Sequence, residues 1–597
     1  MKKTLITVAV SIFLVMAVSS VFAYEAFQGQ TGLIQYDPEK AYNGYTLFAP
    51  YQAPFTYLID MEGSVVHTWP RAGGSKLLKN GHLLARPEAT LPQYMWKYTE
   101  FDWDGNVVWQ WQVPEDRHNL SLHHDMRRIF NKKLNAYTHI GNTWIKPLTQ
   151  EQAVAAGCDP SGDYSSAYPD GIIEVDMDGN IIWEWSFLDH VIQDKNPDWP
   201  NYVGAEKAIA DYPGKVNLNW VTDQARSRGW NPGLTQDWQH TNSLDYNEEL
   251  DHIVVNAKHF SEFYVIDHGA TFIPGDAEAS IALAAGPAGD FLYRFGNPSA
   301  YQQGDPPAYL DEGDQQMYGS HDVQWIGGAN SAWDASELPG AGHFLIFDNG
   351  CYNPKGYHSV ILEINPFLDA DGIDTGDYVN PPDAGYDVEN DSSQIVWSFK
   401  SNSLTSFYSH YISGSQRLPN GNTMICSGAT GHFFEVTQGG EVVWEYINPT
   451  CGKGAFIRNI QKDSDTGHPY FPVFRAYRYG PDFSAFAGKD LTPKGTITGR
   501  PPATLEQLLA GGGANIMILS HELTAVAEAG WVKISGTALL GETPLNIMVL
   551  ANGEYMFTDA ADGSYELEVP LDEDGQITLF GFADGFAPST QTFDGGI

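Results

Sequence analysis

The stretch Ile172–Trp185 reads I-I-E-V-D-M-D-G-N-I-I-W-E-W: an apolar strand, an Asp/Gly turn, and a second strand ending in tryptophan. β-Branched and aromatic residues favour extended chain, and Asp-Gly supplies the positive φ that a tight hairpin turn demands. The same design returns along the chain. Y-L-I-D-M-E-G-S-V-V-H-T-W (57–69) and E-F-D-W-D-G-N-V-V-W-Q-W (100–111) precede it, and F-F-E-V-T-Q-G-G-E-V-V-W-E-Y (433–446) closes the series. Looser copies lie at 263–296 and 361–399. The D-x-D-G runs lack the remaining ligands and the bidentate Glu of a calcium loop, so they read as turns.

Between these hairpins lies a second strand pair around an N-G-like turn, as in K-L-L-K-N-G-H-L-L (76–84), M-R-R-I-F-N-K-K-L (126–134) and Q-R-L-P-N-G-N-T-M-I (416–425), with further copies at 243–255 and 323–347. Two strands plus two strands make the four-stranded blade of a β-propeller. Five blades are complete in sequence. A sixth forms if the first hairpin (57–69) joins residues near 454–480, a closure that mixes the two ends of the chain and leaves no exposed sheet edge. The expected fold is therefore all-β, a six-bladed propeller over residues 24–495, with the long insertions 186–236 and 269–320 as loops on one face.

The flanks read differently. Lys2 and Lys3, an apolar run from Leu5 to about Val18, and small residues before Ala23 make residues 1–23 a secretory signal. The mature chain is expected to be periplasmic or secreted, with no membrane attachment once the signal is cleaved, since no later run reaches the ~18 apolar residues of a spanning helix. Residues 496–525 are a Gly/Ala-rich linker with a weak helical stretch at 505–509. Residues 526–597 alternate around N-G and D-G turns and read as a small antiparallel β-sandwich without histidine, an accessory element.

Composition removes some functions. With 33 Lys+Arg against 74 Asp+Glu the formal charge is −41, the opposite of a nucleic-acid footprint and unsuited to an anionic membrane surface. The four cysteines, Cys158, Cys351, Cys426 and Cys451, allow three pairings and show no zinc spacing. Cys158-Asp-Pro-Ser-Gly162 carries the Cys and Pro of a sulfatase motif but not its Arg. The sequence is compatible with a homodimer and does not fix the oligomeric state.

Chemistry concentrates at the starts of the inner strands, which line a propeller's channel with their leading ends at one mouth. Registered on the N-G-like turn, His124 aligns with Ser413 and Gly73, and His240 and His321 take the same slot in their own blades. Three histidines should converge. Lys258 would add a cation, Asn242 a hydrogen-bond donor, and Asn349 in F-D-N-G (347–350) a further polar group. Three imidazoles suit either a metal with an open position or an anion site with nucleophile, acid and charge stabilisers. The lysine tilts toward the anion, because a cation repels a divalent metal. His268, His410 and His432 read as structural.

D-W-Q-H-T-N-S (237–243), V-N-A-K-H (255–259), G-S-H-D (319–322) and F-D-N-G (347–350) resemble the arylsulfotransferase family, exported PAPS-independent aryl-sulfate sulfotransferases. The similarity continues through R-L-P-N-G-N-T and V-V-W-E-Y-I-N-P (417–449) and covers most of residues 30–490. It implies a six-bladed propeller and ping-pong transfer of a sulfuryl group from an aryl sulfate donor to a phenolic acceptor, with no cofactor and no metal. His321 would be the nucleophile, carried as a sulfohistidine, and His124 and His240 with Asn242 would bind the sulfuryl oxygens. The family's arginine falls at Lys258, which cannot make a bidentate contact, and His259 beside it would share the role. The competing classes are a metal-dependent propeller lyase or oxidase using the same histidines, and a non-catalytic anion- or glycan-binding propeller.

Overall fold

The computed structural model describes residues 31–498, apart from 52–54, 71–73, 86–96, 118, 223–233, 235, 381–393, 402–406, 452–453 and 456–470, together with separate strand segments between 518 and 594. The signal segment and most of the linker lie outside the described residues. Six four-stranded antiparallel units succeed one another. Blades two to five are continuous in sequence: Gly74–Leu77 to Val107–Gln112, Leu120–Asn131 to Ile181–Ser186, Thr241–Asn247 to Phe291–Phe295, and His321–Trp325 to Ile395–Phe399. Each of the sequence hairpins is the outer strand pair of a blade.

Closure uses both ends, as the strand arithmetic required. Val473–Tyr479 pairs with Tyr45–Pro50 and becomes the innermost strand of blade one, ahead of Phe55–Ile59 and Val65–Pro70. Gly32–Tyr36 adds a fifth, outermost strand to blade six by pairing with Val442–Ile447, which also covers that blade's edge. The insertions are not only loops. The 269–320 segment holds a helix, Ala277–Ala284, and packs on the rim of blade three, where Trp185 Nε1 donates to the Gly289 carbonyl at 2.8 Å.

The repeated tryptophan has a structural reason. Trp69 Nε1 donates to the Asp102 carbonyl of the next blade (3.0 Å), Trp111 to Gly179 (2.9 Å), Trp397 to Gln438 (2.9 Å) and Trp444 to Met61 (2.8 Å). Each acceptor lies in the neighbouring blade's outer hairpin turn, so one indole fills the gap between blades and caps a turn carbonyl. The D-x-D-G segments are those turns: Asp176 Oδ1 accepts the amides of Asp178 and Asn180, with Gly179 at φ 90°.

Inside the ring, charge replaces apolar packing. Arg127 bonds Asp125 (2.6 Å) and faces Asp245 (3.5 Å); Arg475 bonds Asp125 (2.7 Å) and Asp322 (3.0 Å); Tyr477 donates to Asp322 (2.9 Å). All are buried, so the channel is filled by paired charges below the histidine-bearing mouth. C-terminal to the propeller, two antiparallel sheets form, one centred on Trp531–Leu540 and one running Glu554–Phe557, Met548–Ala551, Gln576–Phe582, Ser589–Asp594. No helix among the described residues is long and apolar enough to cross a membrane.

Candidate functional site

The inner strands enter the mouth through strained backbone. His124 (φ 45°), His240 (φ 53°), Asp322 (φ 57°), Ile412 (φ 49°) and Ser413 (φ 99°) all occupy the left-handed region, which is costly for side chains with a Cβ and worst for a β-branched one. Four blades share the kink, and in blades three and four it falls on the histidine itself. In blade five it falls on Asp322, so His321 enters one backbone position earlier than its counterparts.

His124 and His240 meet, with Nε2 to Nε2 3.2 Å. Asp237 Oδ2 accepts from His240 Nδ1 at 2.7 Å. Burial works to raise the Asp237 carboxyl, but His240, His259 and His124 together hold it well below the usual carboxylate range. Asp237 is thus an acceptor, His240 Nδ1 carries the proton, and His240 Nε2 presents its lone pair to an N–H of His124. His259 stacks on His240 with centroids 4.8 Å apart and gives its Nδ1 to the Asp237 carbonyl at 2.7 Å. Burial and then the neighbouring His240 push its pKa down to about 3.

His321 is buried, and its protonation is legible from its partners. Asn349 Nδ2 donates to the carbonyls of Ser409 (2.7 Å) and Ile412 (2.9 Å), so its Oδ1 faces His321 Nδ1 at 2.6 Å. Nδ1 therefore holds the proton and Nε2 the lone pair, which receives the Ile412 amide at 3.2 Å. Burial first, then Lys258, with His240 and His124 adding to it, drives the His321 pKa well below its ordinary value. The imidazole is a neutral base at ordinary pH, within electrostatic reach of the other two.

The remaining expected residues fall around this core. The Lys258 amide donates to the His240 carbonyl at 3.3 Å, and its side chain runs along Gly319 toward blade five. Asn242 is fully engaged below the pocket: its Nδ2 donates to the Ser320 carbonyl at 2.8 Å and its Oδ1 accepts from Asn256 at 2.9 Å. It thereby braces the residue before His321 rather than offering its amide to the mouth. Of the histidines read as structural, His268 is buried between Glu174 (3.0 Å) and Asp251 (2.6 Å), and His432 pairs with Glu445 (2.7 Å). Cys158 and Cys426 are free thiols.

Three residues that sequence reasoning missed complete the picture. Asp237 was readable from its D-x-x-H spacing to His240. His123 stacks on His124 at 4.0 Å and sits edge-on to His240 at 5.1 Å, with Nδ1 3.2 Å from Asp170. Burial pushes the Asp170 carboxyl well up and the His123 imidazole well down. Arg475, from the ring-closing strand, bonds the residue after His124 and the residue after His321, and its Nη2 donates to the Asn242 carbonyl at 2.9 Å, two residues beyond His240. One guanidinium holds three histidine strands.

Comparison with known proteins agrees with this reading. The family model for arylsulfotransferase (ASST) matches residues 31–466. No curated protein sequence matches the chain. Solved structures resemble it weakly: a protein of unknown function from Bacteroides caccae (11% identity, TM-score 0.34, covering 73% of this chain and 99% of that one), a putative 6-phosphogluconolactonase from Bacteroides fragilis (10%, 0.29, 74% and 99%), and a periplasmic gluconolactonase from Pseudomonas aeruginosa (12%, 0.29, 68% and 96%). The chain belongs to the arylsulfotransferase family, whose members act on small aryl sulfates and phenols.

Proposed function

We propose that this arylsulfotransferase works by a ping-pong mechanism through a sulfohistidine at His321. The carrying observation is the Asn349 Oδ1 to His321 Nδ1 bond, which fixes the tautomer with the lone pair on Nε2. Nε2 attacks the sulfur of a phenolic sulfate ester; the sulfur–oxygen bond breaks and a phenolate leaves. A phenol pKa near ~10 makes that departure feasible with little proton help, whereas an alkyl alcohol would need much more, so donors are aryl sulfates. An acceptor phenol then attacks the sulfuryl group, the nitrogen–sulfur bond breaks, and the phenol's proton passes to the His124/His240 pair.

Lys258 and the two imidazoles offset charge on the sulfuryl oxygens. The Ile412 amide, which solvates the Nε2 lone pair in the resting site, is placed to take one of those oxygens once Nε2 is bonded to sulfur. Asn349 and Asn242 act by holding His321 and its strand, and His259 by stacking on His240. The reading includes export through the N-terminal signal, a C-terminal accessory sandwich, and chemistry that needs no metal. Mass spectrometry of protein quenched with donor alone tests it: one added sulfuryl group on His321 is expected, and a label on another residue overturns the assignment.

A further inference from the structure

In an extended strand successive side chains point to opposite faces. At His123-His124 they do not: the left-handed backbone of His124 (φ 45°) brings both rings to one side, stacked at 4.0 Å with 30° between planes. One ring nitrogen from each of His123, His124 and His240 lies within 4.8 Å of the other two. The anion reading employs His124 and His240 but gives His123, which is completely buried, no task.

The hydrogen bonds sort these nitrogens. Asp170 Oδ1 accepts the Thr241 amide (3.0 Å) and hydroxyl (2.6 Å), so toward His123 Nδ1 it is again an acceptor, at 3.2 Å. His123 Nδ1 therefore carries the proton, and Nε2 is a buried lone pair with no hydrogen-bond partner. His240 repeats the arrangement, with Nδ1 on Asp237 and Nε2 inward. A carboxyl group on the far nitrogen of each of two clustered imidazoles is how metal-binding histidines are oriented. The 3.2 Å between His124 Nε2 and His240 Nε2 is close to the about 3.3 Å separating two nitrogens bound to one tetrahedral zinc at ~2.0–2.1 Å.

We propose that His123, His124 and His240 form a three-imidazole binding site for a divalent zinc-class metal ion at the boundary of blades three and four. Small ring rotations bring His123 to the bonding distance, and His124 moves its proton to its other ring nitrogen. Imidazole donors without sulfur select zinc, cobalt, copper or nickel over magnesium or calcium. The Lys258 side chain passes beside Gly319 and its charge bears on His240 and His321, so it opposes a cation, and the Asp237 carboxylate behind His240 offsets it. The ion would occupy the nitrogens that the transferase needs for its sulfuryl group. Zinc is therefore an inhibitor, a consequence that alone rests on the proposed function.

The test uses the full mature chain, stripped with a chelator and titrated with zinc chloride or cobalt chloride. One equivalent is expected to bind, with X-ray absorption showing three imidazole nitrogens at about 2.0–2.1 Å. His123→Gln should weaken binding by more than tenfold, Asp170→Asn by about tenfold, and His358→Ala, at a half-buried histidine outside the cluster, not at all. Failure to retain metal, fewer than three imidazoles around it, or unchanged affinity in His123→Gln overturns the proposal. The absorption measurement on the unaltered chain decides even if the variants do not fold. Because binding is read directly, a chain that binds zinc when titrated but transfers no sulfuryl group when stripped of metal supports the site while removing the transferase reading.

Discussion

The two halves of the channel solve opposite problems with similar residues. At the mouth, the backbone is kinked at four blades, and lone pairs at His321 Nε2 and His240 Nε2 are held in place by carboxamide and carboxylate partners. Immediately below, Arg127, Arg475, Asp125, Asp245 and Asp322 are charged, buried and paired with one another. Burial keeps an imidazole unprotonated, with its lone pair available, by penalising the protonated form, while the same burial makes an unpaired arginine or aspartate untenable. The lower half pairs its charges, and the upper half carries the strained backbone and the held lone pairs.

That contrast predicts that substitutions at the mouth change rates and substitutions beneath it change stability. His321→Ala should lower transfer of sulfuryl from p-nitrophenyl sulfate to a phenol by roughly three orders of magnitude or more, with the thermal midpoint falling by only a few degrees; full activity would break the contrast at its upper end. Arg475→Met takes the ion-pair partner from buried Asp322 and leaves Asp125 with Arg127 alone, and should cost about 3–5 kcal/mol in chemical denaturation. If it loses activity without losing stability, the hub belongs to the site and not to the scaffold.

Asn349→Ala frees the His321 ring to turn and to take the other tautomer, and kcat should fall about 10²-fold with little change in KM for the donor. Lys258→Arg sharpens the comparison from within the mouth. A second charge-assisted hydrogen bond to the sulfuryl group, worth about 1.5 kcal/mol, should raise kcat/KM by about tenfold. The smallest effect concerns His268, beside the channel. Burial opposes its charge, but Glu174 and Asp251 raise its pKa to about 9, above its unfolded value. The resulting stabilisation is complete below the unfolded pKa and is lost as pH rises through about 9. Thermal midpoints measured from pH 6 to pH 10 should decline across that window, and in His268→Gln they should not.

Much of this was legible in the chain. Trp and Asp-Gly recur because each blade needs an indole to reach its neighbour and a turn to receive it, so the repeat announces the fold. His124 and His240 share a register that sequence can count, and His321 stands one position ahead of it. What could not be counted is the kink: a single left-handed residue moves a side chain from one face to the other, and at His124 it brings the His123 ring alongside. Arg475 was hidden for another reason. Its strand has no hairpin partner next to it in sequence, since it completes a blade begun more than four hundred residues earlier, and no local pattern marks it.

That last strand sets the order of events as the chain is made. A ribosome that has finished residue 470 has already made every histidine of the site and five blades able to fold as they emerge, yet neither the guanidinium that gathers three of their strands nor the strand that shuts the ring. The nucleophile is thus present long before it is aimed. On the proposed mechanism, transfer begins only when synthesis has passed Tyr479, and a chain cut before Val473 should be inert.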